Sequence, residues 1–192
     1  MMNTPAKQTP PALILIDVQT AFNNLAYWGG SRNNPGAEQN ISALLKHWRE
    51  NKLPLFHVKH NSTQPGSLLS ANSPGNAFMA AAMPFGGETI IPKSVNSAFI
   101  GTNLKQLLDE QGIKSVIIAG FITEHCVSTT TRMAANLGYN TYVIADATVS
   151  FARSGVNGEH FSADTIHAVS LATLKDEFAT IITTEQAKNI RQ

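Results

Sequence analysis

The sequence predicts an α/β fold in which a parallel sheet of six strands carries helices on both faces. Three observations predict it: short apolar, β-branched runs recur six times, helical patterns alternate with them, and no repeat or linker interrupts the alternation. Strands joined through helices pair in parallel, with right-handed crossovers. At 192 residues, with 43% apolar and 14% charged, the chain has the material for one domain with a substantial core.

Residues 1–11 hold three prolines and one lysine and read as a flexible leader, with a single domain from residue 12 to 192. Ala12 to Ile16 is the first strand. Phe22 to Asn34 has a loop composition with Tyr27, Trp28 and two glycines. Pro35 opens a helix running to about Glu50, with Ile41, Leu44, Leu45 and Trp48 on one stripe. Leu53 to Val58 is the second strand.

Lys59 to Phe85 shows no clear period and is rich in Ser, Asn, Pro and Gly, the composition of a functional or mobile segment. Ala77 to Met83 has room within it for a helical turn or two. A third strand spans Thr89 to Ile91 and a helix Thr102 to Gln111, ended by Gly112. Val116 to Ala119 has the length and branching of a strand buried on both faces. Gly120 breaks it, and Val127, Thr130, Met133, Ala134 and Leu137 then recur at helical spacing to Gly138. Thr141 to Ala145 and Phe178 to Ile182 are the last strands; the helix between them, capped by Ser162, has Ile166, Val169, Leu171 and Leu174 inward. Phe151 to Phe161 reads as loop, and Thr184 as the cap of a short closing helix.

Chemistry-bearing residues gather where this pattern puts strand ends. Asp17 follows the first strand, Lys93 the third, and Cys126, the only cysteine, opens the helix after the fourth. Open α/β sheets carry their ligand crevices at such ends, so the three converge on one edge. A thiol in a first helical turn faces unpaired N–H groups and the positive dipole end, which predicts a lowered pKa. Each residue also has a structural explanation: a buried thiol, an Asp capping a turn, a solvated lysine.

A net charge of +1, with no basic stripe, gives no reason to expect nucleic acid as a partner. The apolar run before Asp17 is only five residues long, too short for a signal core or a membrane span, so no membrane partner and a cytoplasmic location are expected. A lone cysteine, with no zinc-type Cys/His spacing, fits a reducing compartment.

The chain resembles the isochorismatase-like cysteine hydrolases, which include nicotinamidases and carbamoylsarcosine amidohydrolases. The similarity runs from about Ala12 to Glu185 and rests on LILIDVQTAF (13–22), IPKSVNSAFIGTNLKQLL (91–108), AGFITEHCVSTTTRMAANLGY (119–139), VIADATVSF (143–151) and SADTIHAVSLATL (162–174). The resemblance implies a doubly wound, three-layer sheet of strand order 3-2-1-4-5-6 and a catalytic triad of Asp17, Lys93 and Cys126. It also implies a cis peptide between Phe121 and Ile122, and an oxyanion hole from the N–H groups of Ile122 and Cys126. A small-molecule amide or ureido substrate cleaved through a thioester, and a homo-oligomer, dimer or tetramer, are further implications.

Two departures bear on the substrate. Nicotinamidases of this family have an Asp-x-His metal arrangement after the second strand, where this chain has FHVKHNSTQPGS, with His57 and His60 and no carboxylate; no metal and no cofactor are expected. Some isochorismate hydrolases have glycine where this chain has Cys126. Substrate selection then falls to the irregular segments, with Phe22, Trp28, His60, Phe99, Glu124, His125 and Phe151 as pocket candidates. The alternatives are a non-amide substrate or thiol redox chemistry, for which the chain has no second cysteine.

Overall fold

The structure is a computed structural model that describes residues 9–190; most of the expected leader, and residues 191–192, lie outside them. Its centre is a six-stranded parallel sheet of β1 (Ala12–Ile16), β2 (Leu55–His60), β3 (Thr89–Lys93), β4 (Ser115–Phe121), β5 (Asn140–Val149) and β8 (Thr180–Ile182). The order β3-β2-β1-β4-β5-β8 is the expected 3-2-1-4-5-6 arrangement. A separate two-stranded hairpin, β6 (Arg153–Ser154) and β7 (His160–Phe161), occupies the stretch expected as loop.

Every residue of β1 is buried, because β2 and β4 flank it and helices cover both faces. Its side chains alternate: Leu13 and Leu15 join a core with Leu44, Leu45 and Trp48 of α2 (Ala37–Glu50), which α6 (Thr184–Lys188) extends through Ala187. Ile14 and Ile16 enter a second core with Leu104 and Leu108 of α3 (Leu104–Glu110), Ala134 of α4 (Ser128–Asn136) and Leu174 of α5 (Ala163–Leu174). A four-residue helix, α1 (Leu25–Trp28), completes the numbering. Among the described residues no helix is long and apolar enough to cross a membrane.

Several elements differ from expectation for local reasons. β2 runs two residues further than Val58 and brings His60 to the strand end, while Pro92 is accommodated in β3 because that strand is an edge. β5 continues past Ala145 through an irregularity opposite Ile118 and Gly120; there Asp146 accepts from the N–H and hydroxyl of Thr184 (2.8 and 2.9 Å), and Thr183 caps α6. Phe22 to Asn34 contains a 3-10 turn (Thr20–Asn23 enters it) and α1, and Lys59 to Phe85, past the end of β2 at His60, only the 3-10 turns Pro74–Asn76 and Ala80–Ala82. On α5 the inward face is Ala163, His167 and Leu174, and Val169 is 58% exposed. At 3.6 residues per turn Val169 sits about 200° around the helix from His167, so the apolar residues of α5 do not share one face.

Candidate active site

β1, β3 and β4 end on the same edge of the sheet and deliver the three strand-end residues to one point. Asp17 leaves β1 with a left-handed φ of 51°, its N–H held by the Val58 carbonyl at 3.0 Å. Lys93 is the last residue of β3. β4 reaches the site over Gly120, whose φ is 125°; a Cβ there would lie 2.1 Å from the Ile16 carbonyl oxygen, so the close approach of β1 and β4 requires glycine. The Phe121–Ile122 peptide that follows is cis, as the resemblance implied. Cys126 then lies in a π-wound turn, Thr123–Val127, that leads into α4.

Lys93 Nζ is the hub. It donates to Asp17 Oδ2 at 2.6 Å, to Cys126 Sγ at 3.2 Å and to His60 Nδ1 at 2.9 Å. Asp17 and the Lys93 side chain are sealed from solvent, and Asp17 Oδ1 has no hydrogen-bond partner among the described residues. His125 and Val127 both donate to the Ile122 carbonyl (3.1 and 3.2 Å), which leaves the intervening Cys126 N–H out of that pairing.

The electrostatics reverse one expectation. Burial first, and then the Asp17 charge, push the Cys126 thiol up to about 12, against the pull of Lys93. A helix-terminus effect of a fraction of a kcal/mol to about 1 kcal/mol does not offset such burial beside a carboxylate. The resting group is a thiol. Burial, then the Lys93 charge, also hold His60 below the usual imidazole range, opposed by Asp17.

Asp17, His60 and Cys126 present ligand atoms within 4.8 Å of one another, a spacing a metal ion accepts. The Lys93 ammonium, however, bonds to all three and holds the central position a cation would need. His57 is on the other face of β2, three residues from His60, and pairs with Glu88 at 2.8 Å. Arg49 first, then the Phe85 N–H and His57, draw Glu88 down to about 2 against its burial.

Above the hub is a cavity of about 160 Å³. Of the expected pocket residues, Phe22, Trp28, His60 and His125 line it, together with Ile122 and Cys126. Three others are placed elsewhere. Phe99 stacks on Tyr139 at 6.0 Å and borders a separate surface hollow; Glu124 turns to Arg153 at 3.0 Å; and Phe151 is fully buried behind Phe22 and Trp28, 6.0 Å from each ring. Ser62, Ser67, Leu69 and Asn96 complete the wall and were not anticipated, since they lie in aperiodic segments where neither spacing nor periodicity marks a side chain's direction. Also unanticipated was Gln19, which grips the His60 backbone from both sides, accepting from its N–H at 2.8 Å and donating to its carbonyl at 3.1 Å.

Residues 11–186 match the Isochorismatase domain family. The chain is 49% identical over 178 residues to the uncharacterised isochorismatase family protein YrdC of Bacillus subtilis, covering 93% of this chain and 94% of that protein. An isochorismatase-family structure from Chromobacterium violaceum superposes with a TM-score of 0.90 at 39% identity, over 98% of this chain and 97% of the other. More distant is Nicotinamidase 3 of Arabidopsis thaliana, 26% identical over 153 residues and 73% of each chain, and maleamate and ureidoacrylate amidohydrolases are also among the relatives. With its strand order, the match along nearly all of its length and these neighbours, the chain belongs to the isochorismatase family of hydrolases.

Proposed function

We propose that this hydrolase cleaves a small amide or ureido C–N bond through a thioester on Cys126. One observation carries the proposal: Lys93 contacts both Asp17 and Cys126 while Asp17 Oδ1 stays buried and unpartnered. That oxygen is an acceptor open to receive a proton. A substrate carbonyl in the cavity meets Sγ; the S–C bond forms as the thiol proton passes to Asp17, and the carbonyl oxygen gains charge beside the N–H groups of Ile122 and Cys126. Lys93 keeps the developing sulfur charge and the carboxylate neutralised in a site without bulk water.

Collapse of the intermediate breaks the C–N bond, and Asp17 returns its proton to the leaving nitrogen. Water then attacks the thioester with Asp17 as base, and the acid leaves as the thiol re-forms. The names of the nicotinamidase and amidohydrolase relatives support an amide-type bond. Thiol redox chemistry is disfavoured by the absence of a second cysteine to resolve a sulfenic acid. Self-association belongs to the same proposal, supported by the exposed apolar Phe161 and Val169, which line a surface hollow that also includes His125. A panel of small primary amides and ureido compounds, assayed for ammonia or amine release with wild type and Cys126→Ala, tests it. Release by wild type alone is expected; turnover retained in the variant removes the covalent route.

A further inference from the structure

The partners of Lys93 also fix what His60 can do. An ammonium has three protons and no lone pair, so the ring nitrogen 2.9 Å from Lys93 Nζ must be an acceptor. Nδ1 therefore carries the lone pair and Nε2 the proton. Gln19 and Asn76 hold the His60 backbone, with Asn76 donating to its carbonyl at 2.9 Å, so the ring is fixed on its main-chain side as well. Among the described residues the His60 ring bonds only through Nδ1, which leaves the Nε2–H available, and the 13% of the side chain left exposed belongs to a residue of the cavity wall.

The charge of that wall is as informative. Among the described residues it includes no lysine or arginine; its only carboxylate is Asp17, and Lys93 lies sealed behind it. A ligand carboxylate there would meet a like charge with no free cation to answer it. At about 160 Å³ the cavity is smaller than the roughly 300 Å³ at which pockets for drug-sized ligands begin. Phe22, Trp28, Leu69 and Ile122 supply apolar wall, and Ser62, Ser67 and Asn96 neutral hydrogen-bonding groups.

The geometry points to His60 as a specificity residue, its Nε2–H donating to an oxygen of a small, uncharged acyl group that the cavity accepts in preference to an anionic one. With its proton on Nε2 and its lone pair spent on Lys93, His60 is not a general base. This inference rests on the acyl-hydrolase function proposed above, but its test does not depend on turnover.

Two measurements decide it. In histidine-labelled protein, the ¹⁵N spectrum of His60 is expected to show a protonated Nε2 and an unprotonated Nδ1 at neutral pH; an Nδ1–H tautomer or an imidazolium overturns the assignment. Cys126 alkylation by iodoacetamide and iodoacetate, reagents of nearly equal size and different charge, then reads the cavity. The rate ratio of neutral to anionic reagent is expected to exceed that of the urea-unfolded chain by tenfold or more.

His60→Asn retains an oxygen positioned to accept from Lys93 but is too short to replace Nε2–H. It is expected to slow iodoacetamide by roughly 2- to 10-fold, the worth of one hydrogen bond, at every pH up to 9, with the slope of rate against pH unchanged. Equal ratios in folded and unfolded protein, or iodoacetamide labelling of His60→Asn as fast as that of wild type across this pH range, overturn the inference. Success here without amide turnover would instead defeat the hydrolytic proposal alone.

Discussion

Removing the negative charge of Asp17 should make Cys126 more reactive toward an alkylating agent while abolishing hydrolysis. The thiol is held up by burial and by Asp17, and Asp17→Asn keeps the shape while deleting the charge. The two reactive atoms are within 4.8 Å. At an effective dielectric of about 20, unit charges at that distance repel by about 3.5 kcal/mol, which is about 2.5 pKa units. The thiol remains mostly protonated at neutral pH, so the thiolate fraction rises about 300-fold. A less basic thiolate is a weaker nucleophile, and a Brønsted slope of about 0.4–0.5, borrowed from disulfide exchange, gives back roughly tenfold. The net expectation is about a 30-fold faster reaction with iodoacetamide near neutral pH, followed by mass spectrometry of the Cys126 peptide. In wild type the rate should climb about tenfold per pH unit through pH 9, with no plateau near the ordinary thiol value of about 8.5. Labelling slowed or unchanged by Asp17→Asn, or a wild-type plateau below pH 8.5, would refute the electrostatic reasoning.

Three further outcomes are expected. Gly120→Ala places a Cβ 2.1 Å from the Ile16 carbonyl oxygen at a φ of 125°; a loss of at least about 3 kcal/mol in urea unfolding is expected, through the combined clash and backbone strain. Glu88, drawn from 4.5 to about 2 chiefly by Arg49, contributes stability that is full above its unfolded pKa and lost as pH falls toward 2. The stability gap between wild type and Glu88→Gln should therefore be widest near neutral pH and close between about pH 4.5 and 2, and a gap independent of pH would contradict it. Sedimentation should give a species larger than the monomer, shifted toward monomer by Val169→Glu on the exposed face of α5; a monomeric wild type would remove self-association.

The sequence announces the features that one-dimensional patterns encode. β1 and β4 are continuous apolar runs because both faces of their strands are covered; Asp17 and Lys93 are visible as polar residues at strand ends, and Cys126 as the lone cysteine where a helical pattern begins after β4. What stays hidden depends on three-dimensional neighbours. Val169 falls at helical spacing yet off the face that α5 packs with, and His167, a polar residue, holds an inward position beside Leu174 by bonding to Thr123 at 3.1 Å. The helix-terminus argument for Cys126 omits the burial and the carboxylate that dominate there. His60 is visible as a histidine near a strand end, but its place as the third acceptor of Lys93 depends on β2 running two residues longer than its apolar run. Phe99 and Phe151 satisfy the composition of a pocket while packing away from it, since an aromatic ring is as well suited to a core as to a ligand.

The most direct test of the central claim is the intact mass of the enzyme, acid-quenched during turnover of an amide substrate identified from the panel. The account predicts a population heavier by the acyl group, located by peptide mapping on Cys126 and absent from Cys126→Ala, which does not turn over. Steady turnover with no adduct on Cys126, in an enzyme that still works after Cys126→Ala, would contradict it.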